Sequence, residues 1–240
     1  MSATPLKTDN NKPDIITAVK KRVLQVSIWM LVQVSILCLS SGRLDWVMAW
    51  VYIGLNVAIV AINFSILLPQ NPELIAERAP IKEDTKKWDI VLVKIALPLP
   101  HIILLISGLD LRFGWSPPLT LTIQLLALAL MVLGYSLVSW AMITNKFFSG
   151  VVRIQKERGH TTITTGPYQY VRHPGYTGMI VYSLSTPLLL SSLWAFIPAV
   201  LMSCLLIVRT LLEDRTLQAE LDGYQEYTTE VPYRLLPYLW

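Results

Sequence analysis

The stretch of sequence that decides the fold is residues 176–212, YTGMIVYSLSTPLLLSSLWAFIPAVLMSCLLIVRTLL, in which Arg209 is the single charged residue. A helix needs about 20 apolar residues to cross the hydrocarbon core of a membrane. The run is too long for one such helix, and Ser191 and Ser192 lie near its middle. We therefore predict a tight hairpin of two membrane helices that turns at these serines.

Further apolar segments precede the hairpin, and each is long enough for one membrane span. They are residues 23–40, 46–68, 90–109 and 119–143. Composition agrees, because 53% of the 240 residues are apolar and 15% are charged, whereas soluble domains carry about 25% charged residues. The predicted fold is all-α: a polytopic membrane helical bundle of about six membrane segments, followed by a C-terminal cap over residues 213–240.

The predicted organisation has three parts. Residues 1–22 form a polar cytoplasmic leader, and residues 23–143 hold the N-terminal transmembrane helices. A cytoplasmic loop at 69–89 interrupts these helices. Residues 144–240 hold the hairpin and the cap, and we predict that the chemistry lies in this last region.

The positions of lysine and arginine predict the orientation. With the N-terminus inside, only Arg43 and Arg112 face outside, and Lys94 lies near the inner end of the third span. Inner loops of membrane proteins are enriched in these residues, so we predict that both termini are cytoplasmic, as in a bacterial inner-membrane protein. The basic residues form no stripe with interleaved aromatics, which argues against nucleic acid as a partner. Cys38 and Cys204 lie within apolar runs, and no metal site is predicted.

Two asparagines, Asn56 and Asn63, lie seven residues apart on one face of the second apolar segment. Polar side chains within membrane helices commonly hydrogen-bond to a neighbouring helix. We therefore interpret both asparagines as interhelical contacts and not as a ligand site. His101, beside Pro100 in the third segment, is interpreted in the same way.

Residues 166–176, GPYQYVRHPGY, precede the first helix of the hairpin. Gly166-Pro167 indicates a turn, and Pro174 suits the first position of a helix that His173 would cap. A helix N-terminus beside Arg172 and His173 suits an anion. Composition alone favours an interfacial belt of arginine and tyrosine, but the fixed order of these residues favours a binding site.

The far end of the hairpin carries Arg209, Glu213 and Glu220 near one helix face. Arg209 and Glu213 are four residues apart and are expected to pair. Both ends of a hairpin open on the same side, so this acidic cluster should adjoin the Arg172 turn. The sequence thus predicts a site with one cationic and one anionic half.

The two clusters together resemble the isoprenylcysteine carboxyl methyltransferase family and its phospholipid N-methyltransferase relatives. The resemblance is carried by GPYQYVRHPGYTG at 166–178, by Glu213-Asp214 and by VPYRLLP at 231–237. It covers roughly residues 146–240 and indicates a prokaryotic-type member. It implies S-adenosylmethionine as cofactor, methyl transfer as the reaction, and a lipophilic small molecule or a prenylated compound as acceptor, in a setting of membrane lipids.

The resemblance also implies roles for single residues. The implied cofactor-binding residues are His160, Gly166, Pro167, Tyr168, Tyr170, Arg172, His173, Pro174, Tyr176, Glu213 and Asp214. The Arg172 turn would hold the carboxylate end of the cofactor, the acidic pair its ammonium, and tyrosine faces its sulfonium. Asp214 departs from the commoner Glu-Glu pair.

The catalytic residues depend on the acceptor. A carboxylate acceptor needs no base, and Arg209 or Arg234 would orient it. An amine or thiol acceptor needs a base, for which His173 or His160 is available.

Two other functions stay open at this point. The segment at 231–238 also resembles the end of sterol and steroid reductases, which use NADPH and share a related membrane fold. A non-catalytic transporter or lipid-binding protein is the alternative of another class. The spans, however, lack the paired buried charges and repeated halves that transporters show.

Overall fold

The computed structural model describes residues 15–77 and 84–240. Most of the predicted leader, residues 1–14, and the middle of the predicted loop, residues 78–83, lie outside the described residues. The described residues form helices and turns without a β-strand. The predicted all-α fold is therefore confirmed.

The α-helices are α1 (Ile15–Ser41), α2 (Val47–Gln70), α3 (Pro72–Glu77), α4 (Lys87–Ala96), α5 (Leu99–Phe113), α6 (Leu121–Thr144), α7 (Pro174–Leu189), α8 (Phe196–Glu220) and α9 (Tyr224–Glu230). Short 3₁₀ turns lie at Lys156–Arg158 and Gly166–Gln169. The bundle core is apolar and draws side chains from α1, α2, α5, α6 and the α7 end: Leu37, Tyr52, Leu104, Met131 and Leu189.

Five helical segments of the described chain are long and apolar enough to cross a membrane. They are Ile16–Ser41, Val47–Gln70, Lys87–Phe113, Leu121–Thr144 and Phe196–Glu220. Helix α7 has 16 residues, which makes it roughly 24 Å long, and it completes the hairpin with α8. The chain is an integral membrane protein, and the predicted number of about six membrane segments agrees with the structure.

The third membrane segment is broken, although the sequence predicted one span over 90–109. It consists of α4 and α5, which meet at Leu97 and Pro98. Prolines at 98 and 100 lack the backbone N–H that a continuous helix requires. The segment also runs further than predicted, and it ends where Gly114 takes a left-handed conformation with φ of 65°.

The hairpin turn spans residues 190–195, as predicted, and buried hydrogen bonds hold it. Ser192 Oγ donates to Asp110 Oδ2 at 2.5 Å, and the Ser116 hydroxyl donates to the same carboxylate oxygen at 2.6 Å. Asp110 is only 2% exposed. The turn is therefore attached to the end of α5.

Helices α6 and α7 pack closely because glycine lies at their contact. A Cβ added at Gly178 would lie 2.3 Å from the Gly134 carbonyl oxygen. Small residues let the backbones of membrane helices approach in this way. This contact places the start of α7 beside the end of α6.

The predicted C-terminal cap begins within α8, which continues through Glu213 to Glu220 before the chain turns at Gly223. Residues 231–240 then fold back over the start of α7. The Arg172 N–H donates to the Tyr233 carbonyl and the His173 N–H to the Arg234 carbonyl, both at 2.9 Å. The C-terminal segment thereby closes one side of the predicted site.

Candidate active site

A cavity of about 230 Å³ lies where α6 ends, α7 begins and α8 leaves the bundle. Loop residues 145–163 and helix α9 complete its wall. Seven of the predicted site residues line it: His160, Tyr168, Arg172, His173, Tyr176, Arg209 and Glu213. The two ends of the hairpin are therefore neighbours, as the sequence predicted.

Glu213 presents its carboxylate to this cavity. It is partly exposed, and its Oε2 accepts a hydrogen bond from the Tyr176 hydroxyl. The other oxygen has no hydrogen bond to the described residues. Because a carboxylate accepts several hydrogen bonds, Glu213 retains capacity for a cationic ligand.

Aromatic rings form much of the remaining wall. Tyr224 and Tyr227 join the predicted Tyr168 and Tyr176 there. The Tyr227 hydroxyl donates to the Tyr168 carbonyl at 2.6 Å, which orients the ring. Burial raises the pKa of both Tyr168 and Tyr227 above the ordinary value, so these phenols stay neutral. Neutral aromatic faces suit a cationic ligand.

Asp214 is buried behind the cavity, with 1% of its surface exposed. Arg172 binds it in a bidentate manner at 2.8 and 2.9 Å, and Arg234 Nε donates at 2.9 Å. The Tyr224 hydroxyl donates at 3.0 Å, and His173 Nε2 lies 3.2 Å away. Gln218 Nε2 also donates at 2.8 Å, so Asp214 organises five side chains and its oxygens are occupied by groups of the protein.

The two members of the acidic pair therefore differ in position. Successive residues of a helix project about 100° apart, so α8 directs Glu213 into the cavity and Asp214 into the network behind it. Of the pair, only Glu213 therefore lines the cavity. Arg172 also donates to the Val231 carbonyl at 2.7 Å, so most of its guanidinium binds the protein.

Arg209 does not form the expected hydrogen-bonded pair with Glu213. Its Nε and Nη2 donate to the Asp89 carboxylate at 2.7 and 3.0 Å, and its guanidinium lies 5.5 Å from the Tyr176 ring centre. Asp89 is fully buried and also accepts from the Val152 N–H at 2.7 Å. Helical spacing favoured Glu213 as the partner, but α4 brings a more deeply buried carboxylate to the same arginine.

His160 lies against the Phe147 ring at 4.4 Å between ring centres. Burial, followed by the charges of Arg153 and Arg158, lowers the pKa of His160 to about 4. Its Nδ1 accepts from the Gln155 N–H at 3.3 Å. His160 is therefore a neutral wall residue at pH 7.

Six of the sequence-predicted residues do not line the cavity: Gly166, Pro167, Tyr170, Pro174, Asp214 and Arg234. Tyr170 is 62% exposed. Gly166 has a φ of 61°, and a Cβ there would lie 2.8 Å from Thr144 Oγ1. Gly166 therefore shapes the turn, and the Arg234 guanidinium stacks on Trp240 at 5.3 Å.

Two apolar cavities within the bundle share lining residues with this site. One of about 240 Å³ lies between the membrane helices, and another of about 220 Å³ lies between α4 and α8. Met179 lines all three cavities. Arg209 and Gly150 line both the cavity of about 230 Å³, which is the polar cavity, and the one beside α4. The walls of the polar and apolar cavities therefore share the side chains of Met179 and Arg209.

Comparison with known proteins finds a family that this region resembles. Residues 126–219, the ICMT-family region, match the sequence model of the isoprenylcysteine carboxyl methyltransferase (ICMT) family. Its bounds include both ends of the hairpin, and thus Arg172, Arg209 and Glu213.

The curated relatives include two proteins named for the same activity as the ICMT family and one reductase. The chain is 34% identical over 115 residues to the protein-S-isoprenylcysteine O-methyltransferase of Schizosaccharomyces pombe, covering 45% of this chain and 48% of that protein. It is 33% identical over 113 residues to the Homo sapiens protein of the same name, covering 44% and 38%. It is also 31% identical over 135 residues to a Delta(14)-sterol reductase of Mus musculus, covering 51% and 32%. The chain thus spans less than half the length of these relatives.

Three parts of the site lie outside the ICMT-family region, and one of them is helix α9, which carries Tyr224 and Tyr227. Asp89, which binds Arg209, comes from α4, and the segment that closes over Arg172 comes from residues 231–240. No short motif in the sequence marks Asp89. The sequence indicates Asp89 only as an acidic residue at the start of an apolar helix.

Proposed function

We propose that this chain is an integral-membrane methyltransferase that uses S-adenosylmethionine. Its acceptor would be a carboxylate on an isoprenylcysteine-like or other membrane-partitioned molecule. One observation carries the proposal: within the ICMT-family region, Glu213 and a set of tyrosine rings line a cavity that adjoins apolar cavities at Met179. The names of the relatives support a prenylated acceptor.

The cavity residues fit the chemistry of the proposed cofactor. The accessible Glu213 carboxylate would hold the ammonium group, and the Tyr168, Tyr176 and Tyr224 rings would surround the sulfonium. When bound, the cofactor supplies an electrophilic methyl group. Because Asp214 binds most of the Arg172 guanidinium, we propose that Arg172 shapes this end of the cavity and leaves the ammonium to Glu213.

Arg209 is the residue best placed to orient a carboxylate acceptor. It lines both the polar cavity and the apolar one beside α4. Asp89 holds its Nε and Nη2, while Nη1 has no hydrogen bond to the described residues. Nη1 would bind the acceptor carboxylate, which is already ionised at pH 7 and needs no base. The protein would then contribute mainly alignment and exclusion of water.

Binding of radiolabelled S-adenosylmethionine to the purified protein in detergent tests the site. We expect Glu213→Gln to weaken binding by about tenfold or more, because hydrogen bonds to charged groups contribute about 1.5–3 kcal/mol. Glu220→Gln is the matched control, since Glu220 lies on the same helix but pairs with Lys86 outside the cavity. Unchanged affinity in Glu213→Gln would overturn the assignment.

A reductase is the second candidate, because the match to the sterol reductase covers 51% of this chain. Thermal shifts separate the two enzymes. Stabilisation by S-adenosylhomocysteine supports methyl transfer, whereas stabilisation by NADPH supports reduction. Counterion-dependent flux in liposomes, with neither ligand stabilising, would instead support a transporter.

A further inference from the structure

The cavity of about 240 Å³ between the membrane helices contains polar atoms without partners. Asn63 Oδ1 and Ser183 Oγ are both buried, and neither has a hydrogen-bond partner in the described ranges. Their residues are 8% and 7% exposed, and both line this cavity. A buried polar group without a partner costs about 1–3 kcal/mol, so two in one cavity indicate a ligand that satisfies them.

Other polar side chains of these helices do have partners. On α7, Ser185 and Thr186 donate to the carbonyls four residues earlier at 2.8 and 2.9 Å. On α2, Asn56 accepts from the Tyr182 hydroxyl at 2.9 Å. The interhelical role predicted for Asn56 and Asn63 therefore holds for Asn56, whereas Asn63 Oδ1 has no hydrogen-bond partner in the described ranges.

The two atoms lie at similar depths in the bundle. Asn63 is seven residues before the end of α2 and Ser183 nine residues after the start of α7. At 1.5 Å per residue these distances are roughly 10 and 14 Å. The two helix ends lie on the same side, because Leu67 of α2 and Met142 near the end of α6 share one apolar cluster. Asn63 Oδ1 and Ser183 Oγ, the orphan atoms, therefore lie well inside the membrane-spanning part of the bundle.

From this geometry we propose that the methyl acceptor carries a hydroxyl or N–H group within its lipid body, and that Asn63 and Ser183 bind this group. Asn63 Oδ1 is an acceptor and requires a donor, and Ser183 Oγ can donate or accept. An unsubstituted polyisoprenoid or acyl chain lacks such a donor. The inference rests on the proposed function for the identity of the ligand as the acceptor, and Met179 lines both this cavity and the polar one.

Photolabelling without the cofactor tests the binding site. The probes are a long-chain primary alcohol with a diazirine and its O-methyl ether, which lacks the donor. We expect the alcohol to label the cavity residues about fivefold more than the ether, as one hydrogen bond would produce. Peptide mass spectrometry locates the label. Equal labelling by both probes would show that water satisfies the orphan atoms and would overturn the inference.

Variants make the test specific. Asn63→Leu and Ser183→Ala should each reduce the preference for the alcohol, whereas Ser185→Ala should keep it, because Ser185 bonds within its own helix. If Asn63→Leu does not fold, Ser183→Ala alone still tests the preference for the alcohol. A preference that persists in Ser183→Ala would overturn the assignment of this residue to the site.

Methylation of a host lipid extract with labelled S-adenosylmethionine separates this inference from the proposed function. A methylated product with a hydroxyl or N–H group in its lipid body supports both. A product with a plain hydrocarbon body would overturn the inference and leave the methyltransferase proposal intact. Absence of cofactor binding would overturn the proposed function, while the photolabelling result would still report on the cavity.

Discussion

At the scale of single residues, the candidate site depends on where each charge is held. Asp214 and Asp89 are almost fully buried, and each binds an arginine in a bidentate manner. Glu213 is the carboxylate that remains accessible to the cavity. Buried charges are tolerated when partners compensate them, so the two aspartates fix the positions of Arg172 and Arg209.

Removal of the Asp214 charge should destabilise the protein. Asp214→Asn would leave the Arg172 guanidinium buried without its counterion, and loss of one partner of a buried pair costs about 3–5 kcal/mol. Thermal unfolding in detergent measures the loss. Glu226→Gln on the exposed surface of α9 is the control and should unfold like the wild type. Wild-type stability of Asp214→Asn would contradict the assigned network.

At the scale of elements, the contact of α6 with α7 positions the site. Gly134 and Gly178 let the two backbones meet, and the start of α7 then carries Arg172 and His173 to the cavity. Close packing of this kind leaves no room for a side chain.

Enlargement of Gly178 should separate the two helices. A Cβ there would lie 2.3 Å from the Gly134 oxygen and 2.8 Å from Val138 Cγ2. We expect Gly178→Ala to cost about 1–3 kcal/mol, as overpacking typically does. Gly54→Ala is the matched helical control, because nothing lies within 4 Å of its added Cβ. Equal stability of the two variants, measured by thermal unfolding, would disprove the tight contact.

At the scale of the whole molecule, the orientation in the membrane decides which compartment supplies the cofactor. The distribution of lysine and arginine predicts that the cavity side is cytoplasmic. The Lys156–Arg158 turn near the cavity and the exposed Arg43 belong to opposite ends of the bundle, so labels at these two positions can test the orientation.

Cysteine labelling tests this orientation. In a background without Cys38 and Cys204, we expect Arg43→Cys to react with a membrane-impermeant maleimide in intact cells. Lys156→Cys should react only after the membrane is permeabilised. Reaction of Lys156→Cys in intact cells would reverse the topology and place the cavity outside.

Hydropathy, charge placement and motif order were sufficient to predict the helical membrane bundle, the turn near Ser191 and the meeting of the hairpin ends. These features depend on local composition and on chain connectivity, and both can be read directly from the sequence. The pairing of Arg209 with Asp89, the separate positions of Glu213 and Asp214, and the orphan Asn63 Oδ1 emerged only from the folded bundle. Each of these depends on contacts between residues far apart in the chain, and such contacts follow from the packing of the helices and not from spacing along the chain.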